Sequence, residues 1–172
     1  MPLMDVIYPE GAFSPEARDE LLRTLWRTCL RWEAVPESDA TGSISWVYLD
    51  ERPRGSMTAG GLSSDEHRIY RAHVRVMSGM MDSERRAGMV RDVSDAILAA
   101  EGTVGDGSGR PRVYCIIEEV PSGTWGVDGT IWPSPETATT AGADPERVAA
   151  MRAAIEADPQ RLDVPARALA PS

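Results

Sequence analysis

Arg71 and Arg75 stand four residues apart, with His73 between them, in the run IYRAHVRVM at 69–77. Ala72, Val74 and Val76 alternate with them, so a strand here sets both guanidinium groups and the imidazole on one face. Planar guanidinium groups bind carboxylates in bidentate fashion, which makes the pair a candidate anion receptor. The same side chains suit ion pairs across a subunit interface equally well, so both readings stand at this level. His73 has acid–base chemistry available to it, but a histidine so placed is more often a satisfied sheet residue, and it is assigned no role. Asp65, Glu66 and His67 are contiguous and lack metal-ligand spacing, and Cys29 and Cys115 cannot form a metal cage alone, so no metal is expected.

All 18 basic residues are arginine, which excludes a lysine Schiff base or lysine general base and leaves the amino terminus as the one ordinary amine. Codon bias suffices to explain the count; the chemical consequence holds regardless. A formal charge of −9 and a pI near 4.7 argue against nucleic acid or anionic lipid as partners. No apolar run approaches the ~20 residues that span a membrane. MPLMDVIYPE has no basic stretch ahead of an apolar core, so a cytoplasmic chain with reduced thiols is expected.

What must position these groups is an internal repeat. Offset by 68 residues, 2–61 aligns with 70–129 without a gap. Identities include Gly11/Gly79, Arg18/Arg86, Glu33/Glu101, Glu51/Glu119 and Gly61/Gly129, and the aromatic pair Trp46/Tyr114 also matches. Each half reads as strand, helix, strand and small hairpin. The strands are 3–8 and 44–50 in the first half, 69–77 and 113–120 in the second. Ser14 caps the first helix, with Pro15 at its first position and Leu21, Leu22, Leu25 and Cys29 on its apolar stripe. Asp82 caps the second, whose stripe is Met89, Val90, Val93 and Ile97, and Gly102 ends it. Trp26 and Trp32 lie partly off the first stripe and mark a possible subunit or tail contact. Glu118 and Glu119 invite an acid–base reading, but Glu51 repeats Glu119, which points to a structural role there.

The expected fold class is α/β (α+β): tandem βαβ units in one mixed four-stranded sheet, two helices on one face, small hairpins and a C-terminal extension. The repeat domain spans 2–131. Residues 132–172 form the extension, with a helix from Pro145 to about Ala157 capped by Asp144, packed outside the domain or on a neighbouring subunit. Residues 103–110 (TVGDGSGR) read as a flexible link. A sheet covered on one face commonly gains cover by oligomerisation.

A tandem βαβ chain with proline directly after the initiator methionine resembles the tautomerase superfamily, with its tautomerase/MIF-like fold. The resemblance rests on MPLMDVIYPEGAFSPEAR, SWVYLDERPRGSMTAGG and RVYCIIEEVPSGTWGVDG, and spans about 2–131. The relatives are 4-oxalocrotonate tautomerase (4-OT) and fused forms such as cis-3-chloroacrylic acid dehalogenase and malonate semialdehyde decarboxylase. The resemblance implies that Met1 is removed and that the secondary amine of Pro2 is the catalytic base, with no cofactor. Burial beside guanidinium groups lowers such an amine's pKa toward neutrality, where a general base works best.

Several positions depart from the family pattern. The turn arginine falls on Ala12 and Met80, the second-strand arginine on Trp46 and Tyr114, and the hairpin phenylalanine on Met57 and Trp125. The dehalogenase's helix histidine falls on Cys29, and its paired arginines fall among Val76, Ser78, Gly79 and Met81. The resemblance therefore implies an isomerase moving a proton between carbon and oxygen of a 2-keto acid or similar enolisable carbonyl, larger and more apolar than a small dicarboxylate. Arg75 and Arg71 are the candidate carboxylate anchors, and Tyr114 and Trp125 the candidate aromatic wall and phenolic donor near Pro2. A homotrimer is expected. Hydration, dehalogenation or decarboxylation on the same scaffold is the alternative chemistry, and a non-catalytic binding or assembly role the alternative outside enzymes.

Overall fold

A computed structural model describes residues 2–63, 67–102 and 111–157 of the chain. The link at 103–110 lies outside the described residues. Strand β1 (Leu3–Pro9) leads through a turn to Ser14, whose hydroxyl accepts from the Ala17 N–H and starts α1 (Pro15–Glu33). A short helix α2 (Asp39–Ile44), strand β2 (Trp46–Arg52) and a hairpin of β3 (Thr58–Ala59) and β4 (Leu62–Ser63) complete the first half. The second half runs β5 (Tyr70–Met77), α3 (Ser83–Glu101), β6 (Val113–Val120), β7 (Gly126–Val127) and β8 (Thr130–Ile131). Helices α4 (Ser134–Thr140) and α5 (Pro145–Ala157) follow.

The 68-residue offset holds in three dimensions. It carries α1 onto α3 and the first hairpin onto the second, end for end. It also carries the left-handed helix cap Ala34 onto Gly102. Gly11 and Gly79 both turn at positive φ, and each donates its N–H to a strand carboxylate: Gly11 to Glu51 at 3.0 Å, Gly79 to Glu119 at 3.1 Å. Glu119 also takes Arg86 at 2.6 Å. The repeated glutamate is thus a clamp on the turn.

The four long strands form one mixed sheet in the order β2-β1-β5-β6. Each βαβ unit pairs its own strands in parallel, and the two units meet antiparallel at β1–β5. At that seam Leu3 faces Arg75, Asp5 faces His73 and Ile7 faces Arg71. Met4, Val6 and Tyr8 of β1 and Ala72, Val74 and Val76 of β5 point to the helices and are buried with Leu21, Leu25 and Cys29 of α1 and Met89, Val93 and Ile97 of α3. Burying each of the larger of these side chains stabilises the fold by roughly 1.5–3 kcal/mol. Among the described residues no helix covers the opposite face, and on it Trp46, Tyr48, Tyr114 and Ile116 are exposed. Among the described residues no helix is long and apolar enough to cross a membrane.

Four local expectations change. The strand expected from residue 44 begins at Trp46, because Ser38 and Thr41 form a reciprocal capping box that winds the preceding residues into α2. Val90 is exposed, and Gly88 takes its place at the α1–α3 seam, where the Trp32 ring lies so close that a Cβ would meet it at 2.1 Å. Trp32 also donates its Nε1–H to Asp92 at 2.8 Å, so it closes an intrachain seam. Trp26 packs toward Gly42 of α2. The extension holds a second helix, α4, and lies on its own chain: Met151 contacts Gly79, and Arg147 donates to the Met80 carbonyl at 2.9 Å. Asp144 does start α5, accepting from the Glu146 N–H at 2.8 Å.

Candidate active site

Pro2 stands immediately before β1 and is buried; its carbonyl accepts from the Trp46 N–H at 3.1 Å, which ties the start of the chain to the start of β2. A cavity of about 370 Å³ opens beside it. Its walls come from six places. Leu3 continues from Pro2, Ser43 and Ile44 end α2, Trp46 opens β2, Arg75 reaches over from β5, and Val120 and Thr124–Asp128 come from β6 and the second hairpin. Trp46 is fixed by its Nε1–H, which donates to the Ser43 carbonyl at 3.0 Å. Trp125 is fixed through its carbonyl, which accepts from the Trp132 N–H at 2.8 Å across the hairpin. The turn between β7 and β8 places Asp128 at φ 48° and Gly129 at φ 78°, the left-handed pair that a two-residue hairpin needs.

The polar part of this site is a network on the open face of the sheet. Arg75 Nη1 donates to Asp5 Oδ2 at 2.6 Å, and Arg75 Nε lies 3.3 Å from Glu118 Oε2. His73 Nε2 is 2.9 Å from the same Glu118 oxygen, and Arg75 Nη2 is 3.1 Å from His73 Nδ1. The geometry is satisfied by an imidazole that accepts at Nδ1 and donates from Nε2. Arg75 is the one arginine lining the cavity among the described residues, and it is held between two carboxylates.

Of the residues singled out in the sequence, Pro2, Arg75 and Trp125 come together around this cavity. Arg71 and Tyr114 do not. They are register partners of one another in the β5–β6 pair, and Arg71 faces Ile7. Arg71 lies four residue steps from Arg75, about 13 Å along a strand rising about 3.3 Å per residue. The reason is the antiparallel seam: β5 runs opposite to β1, so only its C-terminal end reaches Pro2. Trp46, which corresponds to Tyr114 in the repeat, supplies the aromatic wall instead. The seam likewise brings the second hairpin, not the first, to the Pro2 end. The cavity's mapped positions were visible in the repeat; the crossing of the halves was not.

Two thiols sit on the helix side of the sheet. Burial pushes Cys29 well above the ordinary thiol range, and the nearby Glu33 carboxylate adds to this. Burial pushes Cys115 up to about 11. Neither belongs to the cavity lining.

No family model matches the sequence, and no curated protein does. Solved structures do. A fused 4-OT wild-type symmetric trimer superposes with a TM-score of 0.61 at 19% identity, over 77% of this chain and 95% of that one. N1, a member of the cis-3-chloroacrylic acid dehalogenase family, gives 0.61 at 13% identity, over 77% and 85%. Native RhCC from Rhodococcus jostii RHA1 gives 0.55 at 18% identity and reaches further along this chain, over 88% and 95%. The chain therefore has the fold of the tautomerase superfamily, in the form in which two βαβ units share one polypeptide.

Proposed function

We propose that the protein is a cofactor-independent isomerase in which Pro2, freed by removal of Met1, is the general base for keto–enol proton transfer. The observation that carries this reading is the convergence of Pro2, Arg75, Trp46 and Trp125 on one cavity. In the forward sense the C–H bond alpha to the substrate carbonyl breaks, Pro2 nitrogen takes the proton, and the electron pair moves to the carbonyl oxygen. Pro2 nitrogen then gives that proton to the enolate oxygen, or returns it to carbon. Arg75 is the one guanidinium available there among the described residues, as a donor to the enolate or to a single carboxylate. Asp5 and Glu118 already share its charge, so a dianion is poorly matched. Leu3, Ile44, Trp46, Val120, Trp125 and Val127 favour an apolar or aromatic 2-keto acid.

The open sheet face with Trp46, Tyr48, Tyr114 and Ile116 is read as the face buried in a homotrimer. Light scattering at micromolar concentration should give three times the chain mass, and a monomer overturns the assignment.

Intact mass and ketonisation of phenylenolpyruvate test the catalytic reading together. Met1 should be absent, and Pro2→Ala should lower turnover about 10²-fold or more with an unchanged circular dichroism spectrum. Retained Met1 makes Pro2 nitrogen an amide and removes it from the chemistry, as does unchanged turnover.

A further inference from the structure

Glu33 and Glu101 are the last residues of α1 and α3 and occupy the same position of the repeat. Both side chains are buried: Glu33 is 0% exposed, and the Glu101 side chain is 2% exposed. In the second half the surroundings of the glutamate are explicit. Glu101 pairs with Arg112 and, at 3.2 Å, with Arg68. It also lies beside Tyr70, and after burial its charge is the next cause pushing that phenol's pKa up. The Tyr70 N–H donates to the Arg112 carbonyl at 2.7 Å. So this carboxylate sits under the first residue of its strand, against the chain just before it.

The same offset converts each of these positions into one of the first half. Tyr70 becomes Pro2, and Arg112 becomes Ile44, which lines the Pro2 cavity. The Tyr70 N–H corresponds to Pro2 nitrogen, and the Arg112 carbonyl to that of Ile44. The buried carboxylate has been kept, while an apolar residue stands at the arginine's position and the candidate amine stands at the strand start.

We propose that Glu33 is the positioning residue for the Pro2 amine, a buried counter-ion that favours its protonated form and orients its N–H groups toward the carboxylate and the Ile44 carbonyl. This rests on the reading that Pro2 is the freed amino terminus. A carboxylate within about 4–6 Å of an ammonium raises its pKa by one to three pH units. Burial and the Arg75 guanidinium act in the opposite direction. Glu33 therefore sets where between those limits the amine titrates, and so what fraction of Pro2 is base and what fraction is acid. The other groups in play are few. Cys29 on α1 and Arg147 on α5 lie within electrostatic reach of Glu33. Arg75 on β5, with Asp5 and Glu118 behind it, and Asp128 in the second hairpin surround the cavity side.

The repeat supplies its own control. Protein labelled with ¹⁵N-proline is titrated by NMR, following the Pro2 amine nitrogen, and the acid limb of kcat/KM is recorded alongside. Glu33→Gln should lower the amine's pKa by about one to two pH units and move the acid limb with it. Glu101→Gln, which removes the equivalent buried charge from the other half, should leave both about where they are in the wild type. An unmoved titration in Glu33→Gln, or equal movement in both variants, overturns the assignment. If Glu33→Gln fails to fold, Glu33→Asp keeps the charge but draws it back by one methylene. It should lower the pKa by a smaller amount, and no change overturns the assignment equally. A proline nitrogen that titrates but does not respond to residue 33 defeats only this inference. The absence of a titrating proline nitrogen defeats the proposed function as well.

Discussion

Asp5 and His73 face each other across the β1–β5 seam, and they are the same residue of the repeat. The pseudo-twofold axis of the chain passes between them. Every functional asymmetry of the molecule can be referred to that axis. Leu3 facing Arg75 is mirrored by Ile7 facing Arg71, yet only the first pair lies beside Pro2. The pair on the axis has itself diverged into an acid and an imidazole, and both members are tied to Arg75 or its partner Glu118.

That network predicts how Arg75 responds to its neighbours. Glu118 is half exposed, so its pairing with Arg75 is worth only about 0.2–1 kcal/mol. Glu118→Gln should therefore release part of the guanidinium's charge and lower KM for an aromatic 2-keto acid by about two- to five-fold. Arg75→Ala should raise the same KM about 10-fold or more, the size of a lost hydrogen bond to a charged group. Neither change should much affect an uncharged enol. Parallel kinetics on the two substrates test the carboxylate role: equal effects on both would make Arg75 an enolate donor or a structural ion-pair residue instead, and loss of oligomeric mass in Arg75→Ala would mark the latter.

The repeat also sets up a comparison of aromatic twins. Trp46 lines the cavity, whereas Tyr114 stands at the far end of the sheet. Trp46→Ala should reduce kcat/KM for an aromatic substrate by about 10- to 100-fold, in line with the ~1.5–3 kcal/mol of a lost large apolar contact. Tyr114→Ala should leave it nearly unchanged in protein whose oligomeric mass is intact. A larger effect from Tyr114 would mean that a neighbouring subunit completes the site with it.

Much of the fold was legible because the repeat is written in cap and turn residues. Ser14 and Asp82, and the positive-φ glycines Gly11 and Gly79, fix equivalent helix starts and turns in both halves. Their signals are local, so a single sequence reveals them. Arg71 and Tyr114 lie away from the Pro2 cavity for a non-local reason: strand order and the direction of the seam decide which end of β5 meets Pro2, and no periodicity records that. Helix α2 was missed because its capping box, Ser38 and Thr41, has threonine where a glutamate or glutamine usually signals the motif. Glu33 and Glu101 enter the sequence only as one repeat identity among several, with nothing local to mark them as buried. Only the depth of Glu33, shared with Glu101, marks it out.

The buried Cys29 and the partly buried Cys115 predict a loss of stability in base. An unfolded cysteine titrates near 8.5, while burial holds Cys115 up to about 11 in the folded chain. Cys29 is raised as well, by burial first and by Glu33 second. The sign follows from proton counting. Above about pH 8.5 the unfolded chain gives up thiol protons that the folded chain retains, so rising pH favours unfolding. The stabilisation is complete below the unfolded value and is lost as pH climbs through the folded one. Each thiol contributes a slope of about 1.4 kcal/mol per pH unit within that window. Urea unfolding of the wild type and of Cys115→Ala at pH 8, 9 and 10 isolates one thiol. The variant should start less stable, having lost packing, but should decline less steeply by about that slope. Identical slopes would mean that the fold does not raise the Cys115 thiol, and would overturn the upward shift attributed to its burial.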